Sequence, residues 1–327
     1  MRKRNIKSAT TIRKSYENTA LKITRTYIRY AKNIESVVIG GSLARKFSDK
    51  DSDIEMYIYY SGDMIPKDSI NQVLSDLNAK LVRFDNVHWY HPSWGYHTCF
   101  KTNGIKVELG YRNVDEVTNR IEFFLNGNIL AKPGLHDAPF GHYESGLASC
   151  IVECKPIVDN GFIESMKKKL ANFPEELKIK LIDHYFEDCR TVTKVKVAQA
   201  ISRDDDFNFH ASLALALRGL IITLFTINET YYPGDKWNSE YIRRFIIVPK
   251  NFQENIKKLI STPDVGKKNK KIKLLTMLTL IKSFEALFKR LDYGKKLFKQ
   301  NEEIEFLVKH ALLTKTLSNN SHPILKK

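Results

Sequence analysis

GGSLARKFSDKDSDIEMYIYY, residues 40–60, opens with two glycines and ends in an apolar run typical of a buried strand. Two carboxylates, Asp53 and Glu55, stand one residue apart inside that run. Because alternate residues of a strand face the same side, the two carboxylates are predicted to point together, away from Ile54 and Met56. Adjacent carboxylates repel each other and are costly to desolvate. The pattern therefore indicates a bound cation.

A third carboxylate, Glu108, lies in another predicted strand, within the run KVELGY. Its neighbours Val107 and Leu109 are predicted to face the opposite side. Three carboxylates on one face would hold two Mg²⁺ ions, because Mg²⁺ prefers oxygen ligands. A metal pair about 4 Å apart suits in-line displacement at phosphorus. The alternative is a solvent-facing strand edge, where acidic residues are common.

The glycines before this strand suggest a phosphate-binding turn. Gly40 and Gly41 follow a predicted strand and allow the backbone to approach a phosphate closely. Ser42 offers a hydroxyl and a backbone N–H to phosphate oxygens, at what would be the positive end of a helix. Arg45 adds a guanidinium that suits the same anion. A glycine turn followed by carboxylates on two strands is a more specific pattern than either alone.

The segment GSLARKFSDKDSDIEM resembles the nucleotidyltransferase superfamily that includes DNA polymerase beta and the antibiotic nucleotidyltransferases. Within that superfamily it looks especially like the kanamycin (aminoglycoside) nucleotidyltransferases. The segment IKVELGYRNVDE is similar to their third-carboxylate strand. The resemblance is specific over residues 40–112 and implies transfer of a nucleoside monophosphate from an NTP to a hydroxyl, releasing pyrophosphate.

The resemblance also implies roles for the residues that match. Asp53 and Glu55 would bind Mg²⁺ and Glu108 would complete the two-metal site. Ser42 and Arg45 would hold the triphosphate, with ATP as the expected nucleotide. The implied fold is a small mixed sheet flanked by helices, followed by a helical domain.

The pattern of apolar residues supports the same organisation. We predict an α/β (α+β) catalytic domain over residues 1–158 and an all-α substrate-binding domain over residues 159–327. In the first half the predicted helices are 9–33, 68–82 and 113–127, and the predicted strands are 35–41, 52–60, 96–101 and 105–111. In the second half the predicted helices are 173–200, 204–228, 237–246, 251–261, 270–291 and 299–314.

Two segments of the second half contain candidate site residues. The run LIDHYFEDCR is similar to the helix that carries the general base of kanamycin nucleotidyltransferases, and the match falls on Glu187. Glu187 as an ordinary exposed helix residue is the alternative.

The segment NETYYPGDKW resembles one found in bacterial nucleotidyltransferase-like proteins of unassigned substrate. Lys236 is a candidate for binding the β- and γ-phosphates, and Tyr232 or Trp237 for walling the nucleotide or acceptor. A turn that starts a helix, with Trp237 packed against it, is the other interpretation.

Histidines and cysteines carry less signal. The run VHWYHPSWGYHTC, residues 87–99, holds His88, His91, His97 and Cys99 without the spacing of a helical zinc motif. An aromatic wall for the acceptor, or core packing, is the interpretation that we prefer. Cys99, Cys150, Cys154 and Cys189 form no CxxC pair, so we expect reduced thiols and a cytoplasmic protein.

The net charge of +16 is carried by the two ends of the chain. Residues 1–30 are net +8, residues 243–327 are net +13, and the middle is net −5. Basic ends suit a polyanion such as ATP or RNA, or are solvated helix faces. No membrane span is expected, since the longest apolar stretch, residues 213–225, is short and contains Arg218.

We expect an acceptor of the aminoglycoside or lincosamide kind, a small hydroxylated molecule. The enzyme alternatives are tRNA, other RNA or a protein acceptor, and the non-enzyme alternative is an inactive nucleotide-binding module. The sequence leaves the oligomeric state open.

Overall fold

The structure is a computed structural model, and it describes residues 6–49, 52–86, 95–129, 144–263, 266–291 and 293. The chain forms two compact units. The first takes in Met1–Leu177 and Thr230–Trp237, and the second takes in Lys178–Glu229 and Asn238–Lys327. The domain boundary near residue 158 stays a prediction, because these units are defined by compactness and divide at Leu177.

The first unit alternates helices and strands. Its helices are α1 (Ile6–Tyr30), α2 (Gly41–Ala44), α3 (Lys67–Asp76), α4 (Val114–Leu125), α5 (Glu144–Glu153) and α6 (Phe162–Leu170). Its strands are β1 (Ile34–Ile39), β2 (Ile54–Tyr60), β3 (Lys80–Asn86), β4 (Tyr96–Thr102), β5 (Ile105–Asn113) and β6 (Lys155–Asp159).

The six strands form one mixed sheet in the order β3-β4-β5-β2-β1-β6. β2 and β5 run parallel at its centre, while every other neighbouring pair among these strands is antiparallel. Helix α3 and the hairpin of β3 and β4 separate β2 from β5 in the chain, which leaves room for the crossover that a parallel pair requires. The predicted mixed α/β fold is confirmed.

One face of the sheet forms the core of this unit. Met56 and Ile58 of β2 and Leu109 of β5 are fully buried in a cluster that also contains Ile23 of α1 and Val73 of α3. These strand residues alternate with the carboxylates, so the predicted separation of apolar and acidic side chains is confirmed. The core therefore leaves the opposite face of β2 and β5 for polar groups.

The described residues of the second unit are helical or irregular. Helix α7 (Glu175–Thr191) begins in the first unit and runs on through a π-helical segment, Val192–Val197, into α8 (Ala198–Arg203). The remaining helices of the described part are α9 (Asp206–Ile227), α10 (Asn238–Ile242), α11 (Phe252–Ser261) and α12 (Lys267–Arg290). The predicted helical second half is confirmed for these residues, and the predicted helix 299–314 lies outside them.

The predicted helix 68–82 is wrong at its end. Helix α3 stops at Asp76, Asn78 adopts a left-handed conformation with φ of 47°, and strand β3 begins at Lys80. Asparagine tolerates this conformation better than most residues, so it can turn the chain out of a helix. Strand β6 was not predicted, and it contains Pro156. Pro156 lies on an edge strand, where a missing N–H is tolerated.

Helix α9 is the one helix of the described residues that is long and apolar enough to cross a membrane. In the structure, 61% of its 18-residue apolar stretch is buried. The core helix of a folded protein can be equally long and apolar, so this burial agrees with the prediction of a buried helix here.

Candidate active site

The central parallel strands bring two predicted carboxylates side by side. Glu55 of β2 stands directly opposite Glu108 of β5 in the register of the pair. Asp53 lies one residue before β2 begins and is a third exposed. The loop leading to Asp53 is held by Tyr16, whose hydroxyl donates to the carbonyl of Ser52 at 2.9 Å. The three carboxylates therefore lie on neighbouring segments of the sheet.

Lys106 connects two of these carboxylates and was missed by the sequence analysis. Its ammonium donates to Asp53 Oδ2 at 3.1 Å and to Glu108 Oε1 at 2.6 Å. The hydrogen bond with Glu108 raises the pKa of Lys106, partial desolvation opposes this, and Asp53 adds to the increase. The sequence signal was present, since Lys106 and Glu108 are two residues apart in one strand and so share a face.

The glycine turn packs directly onto strand β2. The N–H of Gly40 donates to the carbonyl of Glu55 at 2.8 Å. Gly41 has a φ of +55°, and a Cβ there would overlap the carboxylate of Glu55. A Cβ on Gly40 would overlap the ring of Tyr57. Both glycines are thus required by the approach of the turn to β2, in addition to any role toward a phosphate.

Two more of the predicted nucleotide ligands, Ser42 and Arg45, lie in and just after this turn. Ser42 is half-buried, and its carbonyl accepts the N–H groups of Phe47 at 2.8 Å and Ser48 at 3.1 Å. The guanidinium of Arg45 forms an ion pair with Glu153 at the end of α5. The Arg45 side chain is 12% exposed, which leaves it little contact with solvent. Its predicted role would therefore require it to share or leave Glu153.

Tyr57 is a second residue that the sequence analysis did not assign to the site. Its hydroxyl donates a hydrogen bond to Glu55 Oε1, on the same face of β2. Burial and the neighbouring Glu55 carboxylate raise the pKa of Tyr57 well above its ordinary value. The hydroxyl therefore keeps its proton at neutral pH and acts as a donor.

The donor set fits a divalent cation in its chemistry. Asp53 and Glu108 already share one cation, the Lys106 ammonium, and all three carboxylates supply the oxygen ligands that Mg²⁺ prefers. Within the described ranges no group of three acidic, histidine or cysteine side chains is close enough together to hold a metal ion. A metal would therefore require Lys106 and the carboxylates to rearrange, and the two-metal site stays a prediction.

The segment Thr230–Trp237 belongs to the same unit as the sheet. Ser145 of α5 donates to the carbonyl of Tyr232 at 3.0 Å, and the hydroxyl of Tyr232 donates to Asp235 at 2.6 Å. The ring of Trp237 packs against Phe47, which follows the glycine turn, with centroids 5.7 Å apart. Tyr232 is buried, whereas Lys236 is exposed. The predicted turn is thus anchored at both ends in the unit that contains the carboxylates.

Glu187 lies on α7 within the second unit. Its carboxylate accepts a hydrogen bond from Arg190 at 2.6 Å, one helical turn away. The Glu187 side chain is 46% exposed, while that of Arg190 is 8% exposed and also pairs with Glu285 at 3.3 Å. These contacts suit a structural pair, and the role of Glu187 as a general base stays a prediction.

The histidine and cysteine residues are only partly described. His88 and His91 lie outside the described residues. His97 and Cys99 lie on β4, where Cys99 stands opposite Glu108 in the register and is buried. Burial raises the pKa of the Cys99 thiol. All four cysteines are free thiols.

Comparisons with known proteins give a partial family match and a similarity to solved structures. Residues 143–238 match the model of a domain of unknown function, DUF4037, which spans fewer than a third of the residues. A search of curated proteins found no match. Among solved structures the chain is similar to a nucleotidyltransferase-like protein from Exiguobacterium sibiricum, with 11% identity over 89% of each chain and a TM-score of 0.41. An identity of 11% and a TM-score of 0.41 carry no function over to this chain.

Proposed function

We propose that this protein is a Mg²⁺-dependent nucleotidyltransferase that moves a nucleoside monophosphate from an NTP, ATP in the first instance, to an acceptor hydroxyl. The observation that carries the proposal is the register of β2 and β5. It sets Glu55 opposite Glu108, with Asp53 beside them and a glycine turn bonded to the backbone of Glu55. Acidic groups that can hold metal ions suit metal-assisted phosphoryl chemistry, and a close glycine turn lets the backbone approach a phosphate.

Asp53, Glu55 and Glu108 would hold the metal ions. Bound Mg²⁺ would neutralise charge on the phosphates and favour in-line displacement at phosphorus. Lys106 would give up its two carboxylates as the metal is bound. The Lys106 side chain is 45% exposed, so it has room to turn toward solvent or toward a phosphate.

The glycine turn would hold the triphosphate. Gly40 and Gly41 keep side chains out of the approach, and the hydroxyl of Ser42 would donate to a phosphate oxygen. Arg45 would share its guanidinium between Glu153 and the anion, since its planar fork of donors suits such sharing. Lys236 is exposed beside the Trp237 contact and would supply a mobile positive charge to the β- and γ-phosphates.

The acceptor is proposed to be a small hydroxylated molecule of the aminoglycoside or lincosamide kind. The net charge of −5 over residues 31–242 suits a cationic acceptor. Glu187 is the proposed general base, which would take the proton from the acceptor hydroxyl as it attacks. To do so Glu187 would give up the hydrogen bond that it accepts from Arg190.

Pyrophosphate release tests the proposal. The purified full chain would be incubated with Mg²⁺ and each of ATP, GTP, CTP and UTP, against panels of aminoglycosides, lincosamides and bulk tRNA. We expect release that needs one small acceptor and that is abolished in Asp53→Asn. Glu164→Gln, an exposed acidic residue on α6, is the matched control and should retain full activity.

Each other outcome identifies an alternative. Release that requires tRNA would replace the small acceptor with RNA and give the basic ends a role in binding it. Release that is unchanged in Asp53→Asn would contradict the carboxylate site itself. No release with any acceptor would favour a protein acceptor or an inactive nucleotide-binding module.

A further inference from the structure

Tyr57 is a buried side chain that contacts Glu55, one of the proposed metal ligands, and the proposed function gives it no role. It lies two residues after Glu55 on β2 and is 2% exposed. Its hydroxyl donates to Glu55 Oε1. The other oxygen, Glu55 Oε2, lies on the side of Gly41 and the glycine turn. One oxygen of this carboxylate is thus fixed by the protein while the other faces the turn.

The ring of Tyr57 is confined on two sides by glycines. A Cβ on Gly110, which stands opposite Tyr57 in the register of β5, would lie 2.9 Å from Cδ1 of the ring. A Cβ on Gly40 would overlap the other edge of the ring at Cε2. Any other residue at these two positions would push the ring away. The glycines therefore serve the placement of a tyrosine as well as the turn.

A buried cation holds the face of the same ring. The guanidinium carbon of Arg112 lies 3.7 Å from the centroid of Tyr57, and Arg112 is fully buried. Its Nη1 donates to the hydroxyl of Tyr59 at 3.1 Å. A cation over an aromatic face is attracted to the ring, and more strongly when water is excluded. The ring is therefore fixed in plane and in rotation, which aims its hydroxyl at Glu55.

We infer that Tyr57 is a positioning residue for the metal-binding carboxylate Glu55. The inference rests on the proposed function. Hydrogen bonds to a ligating carboxylate fix its orientation, and removing such a partner typically costs about 10- to 100-fold in metal affinity. With Oε1 held by Tyr57, Glu55 presents Oε2 to a cation without first losing rotational freedom.

Mn²⁺ binding to the full chain tests this inference, because Mn²⁺ replaces Mg²⁺ at oxygen sites and its free concentration is measured directly by electron paramagnetic resonance. Tyr57→Phe keeps the ring between the glycines and under Arg112, and removes only the hydroxyl. Tyr27→Phe is the matched control: it removes one hydroxyl from another buried tyrosine of this unit, where that hydroxyl bonds to Tyr111 in the core, on the face of the sheet opposite Glu55.

We expect Tyr57→Phe to weaken Mn²⁺ binding about tenfold or more, with a melting temperature close to that of Tyr27→Phe. Tyr27→Phe should bind Mn²⁺ as the unmodified protein does. In turnover, Tyr57→Phe should need correspondingly more Mg²⁺ and recover most of its kcat at saturating metal, a pattern that a loss of folding would not produce.

The possible results distinguish a failure of this inference from a failure of the proposed function on which it rests. Equal Mn²⁺ affinity in the unmodified protein and Tyr57→Phe, with binding lost in Asp53→Asn, would overturn the role of Tyr57 and leave the metal site intact. Equal weakening in Tyr57→Phe and Tyr27→Phe would also overturn it, since the effect would then follow the loss of any buried tyrosine hydroxyl. Absence of Mn²⁺ binding in the unmodified protein would remove the metal site and this inference together.

Discussion

At the scale of single residues, Lys106 has the clearest expected effect on metal binding. Its ammonium occupies the space between Asp53 and Glu108 that a divalent cation would enter. Lys106→Met should therefore bind Mn²⁺ more tightly, by roughly three- to tenfold, since each partly exposed ion pair that the metal displaces is worth up to about 1 kcal/mol. Titration followed by electron paramagnetic resonance measures the change.

The control for this prediction is Lys101→Met. Lys101 is exposed on β4 and stands opposite Lys106 in the register. The Lys101→Met substitution removes the same charge from a neighbouring position, so it measures how much the loss of one positive charge by itself changes Mn²⁺ affinity. Weaker binding in Lys106→Met than in Lys101→Met would mean that Lys106 supports the metal and does not compete with it.

Gly41 and Gly62 allow backbone strain to be separated from the overlap with Glu55. Both have a positive φ, +55° and +65°, but a Cβ on Gly62 meets nothing within 4 Å. Gly62→Ala should lose about 1 kcal/mol of unfolding free energy from backbone strain alone. Gly41→Ala should lose more and should also lose Mn²⁺ affinity, because the new Cβ displaces the Glu55 carboxylate. Urea unfolding and Mn²⁺ titration check both, and equal behaviour of the two variants would contradict the overlap.

At the scale of elements, Asp159 joins the end of β6 to the start of α6. Its carboxylate accepts the hydroxyl of Ser36 at 2.6 Å and the N–H groups of Ile163 at 3.0 Å and Glu164 at 2.9 Å. Asp159→Ala should cost about 1–2 kcal/mol of unfolding free energy at neutral pH, the usual value for a lost helix cap. Asp159→Asn keeps one acceptor oxygen and should lose less.

The effect of Asp159 should depend on pH. Partial burial raises its pKa, but the hydrogen bonds from Ser36 and the two backbone N–H groups outweigh burial and leave the pKa lowered. A folded-state pKa below the unfolded value of about 3.9 gives stability that is full above that value and is lost as pH falls through the folded pKa. The difference between the unmodified protein and Asp159→Ala should shrink when urea unfolding is repeated near pH 3, and a constant difference would contradict this account.

Helices α7 and α9 of the second unit meet at Gly219. A Cβ there would lie 2.6 Å from the carbonyl oxygen of Tyr185 and 3.2 Å from Cβ of Cys189. Gly219→Ala should therefore lower the unfolding free energy by about 1–3 kcal/mol, as overpacking does. Helix propensity alone predicts a gain of about 1 kcal/mol, so a stabilised variant in thermal or urea unfolding would show that the helices separate easily.

The elements that the sequence predicted best were those with a clear alternation. Strands β2 and β5 alternate apolar and polar residues. The predicted helix 113–127 also has a clear start, since Asn113 caps α4 by accepting from the N–H groups of Asp115 and Glu116. Strand β3 was missed because the apolar spacing of α3 continues past Asn78 into Leu81, so local periodicity could not locate the change. A left-handed asparagine decides that boundary, and its conformation depends on packing around it.

Within the site, residue types were predictable but partners were not. The acidic pattern identified Asp53, Glu55 and Glu108 as a group, since strand geometry follows from sequence. The pairing of Glu55 with Glu108 depends on the register between distant strands, and the contacts of Lys106 and Tyr57 depend on that register. The ion pair of Arg45 with Glu153 joins residues 108 positions apart, which no local pattern specifies.

At the scale of the whole molecule, the positive charge offers a test of the acceptor class. Binding to RNA releases counterions, so affinity for it falls steeply with salt, by about 10³–10⁵ from 50 to 200 mM for six to ten phosphate contacts. With a small hydroxylated acceptor, we expect KM for the acceptor to change by less than about tenfold over that range. Such an acceptor lacks the chain of phosphates whose contacts release counterions. A fall in acceptor affinity with salt as steep as that for RNA would contradict the proposal of a small acceptor.

The segment Thr230–Trp237 has a consequence for how this chain can be divided. It comes from between two helices of the second unit, yet its buried rings pack within the first: Tyr231 lies against Phe173 with centroids 4.8 Å apart. A fragment that stops at Leu177 would lack this segment and leave the contacts of Phe173 and Ser145 unfilled. Neither unit is one continuous segment of the chain, so recombination at a single crossover point could not exchange one of them intact. The two units are therefore expected to be inherited together.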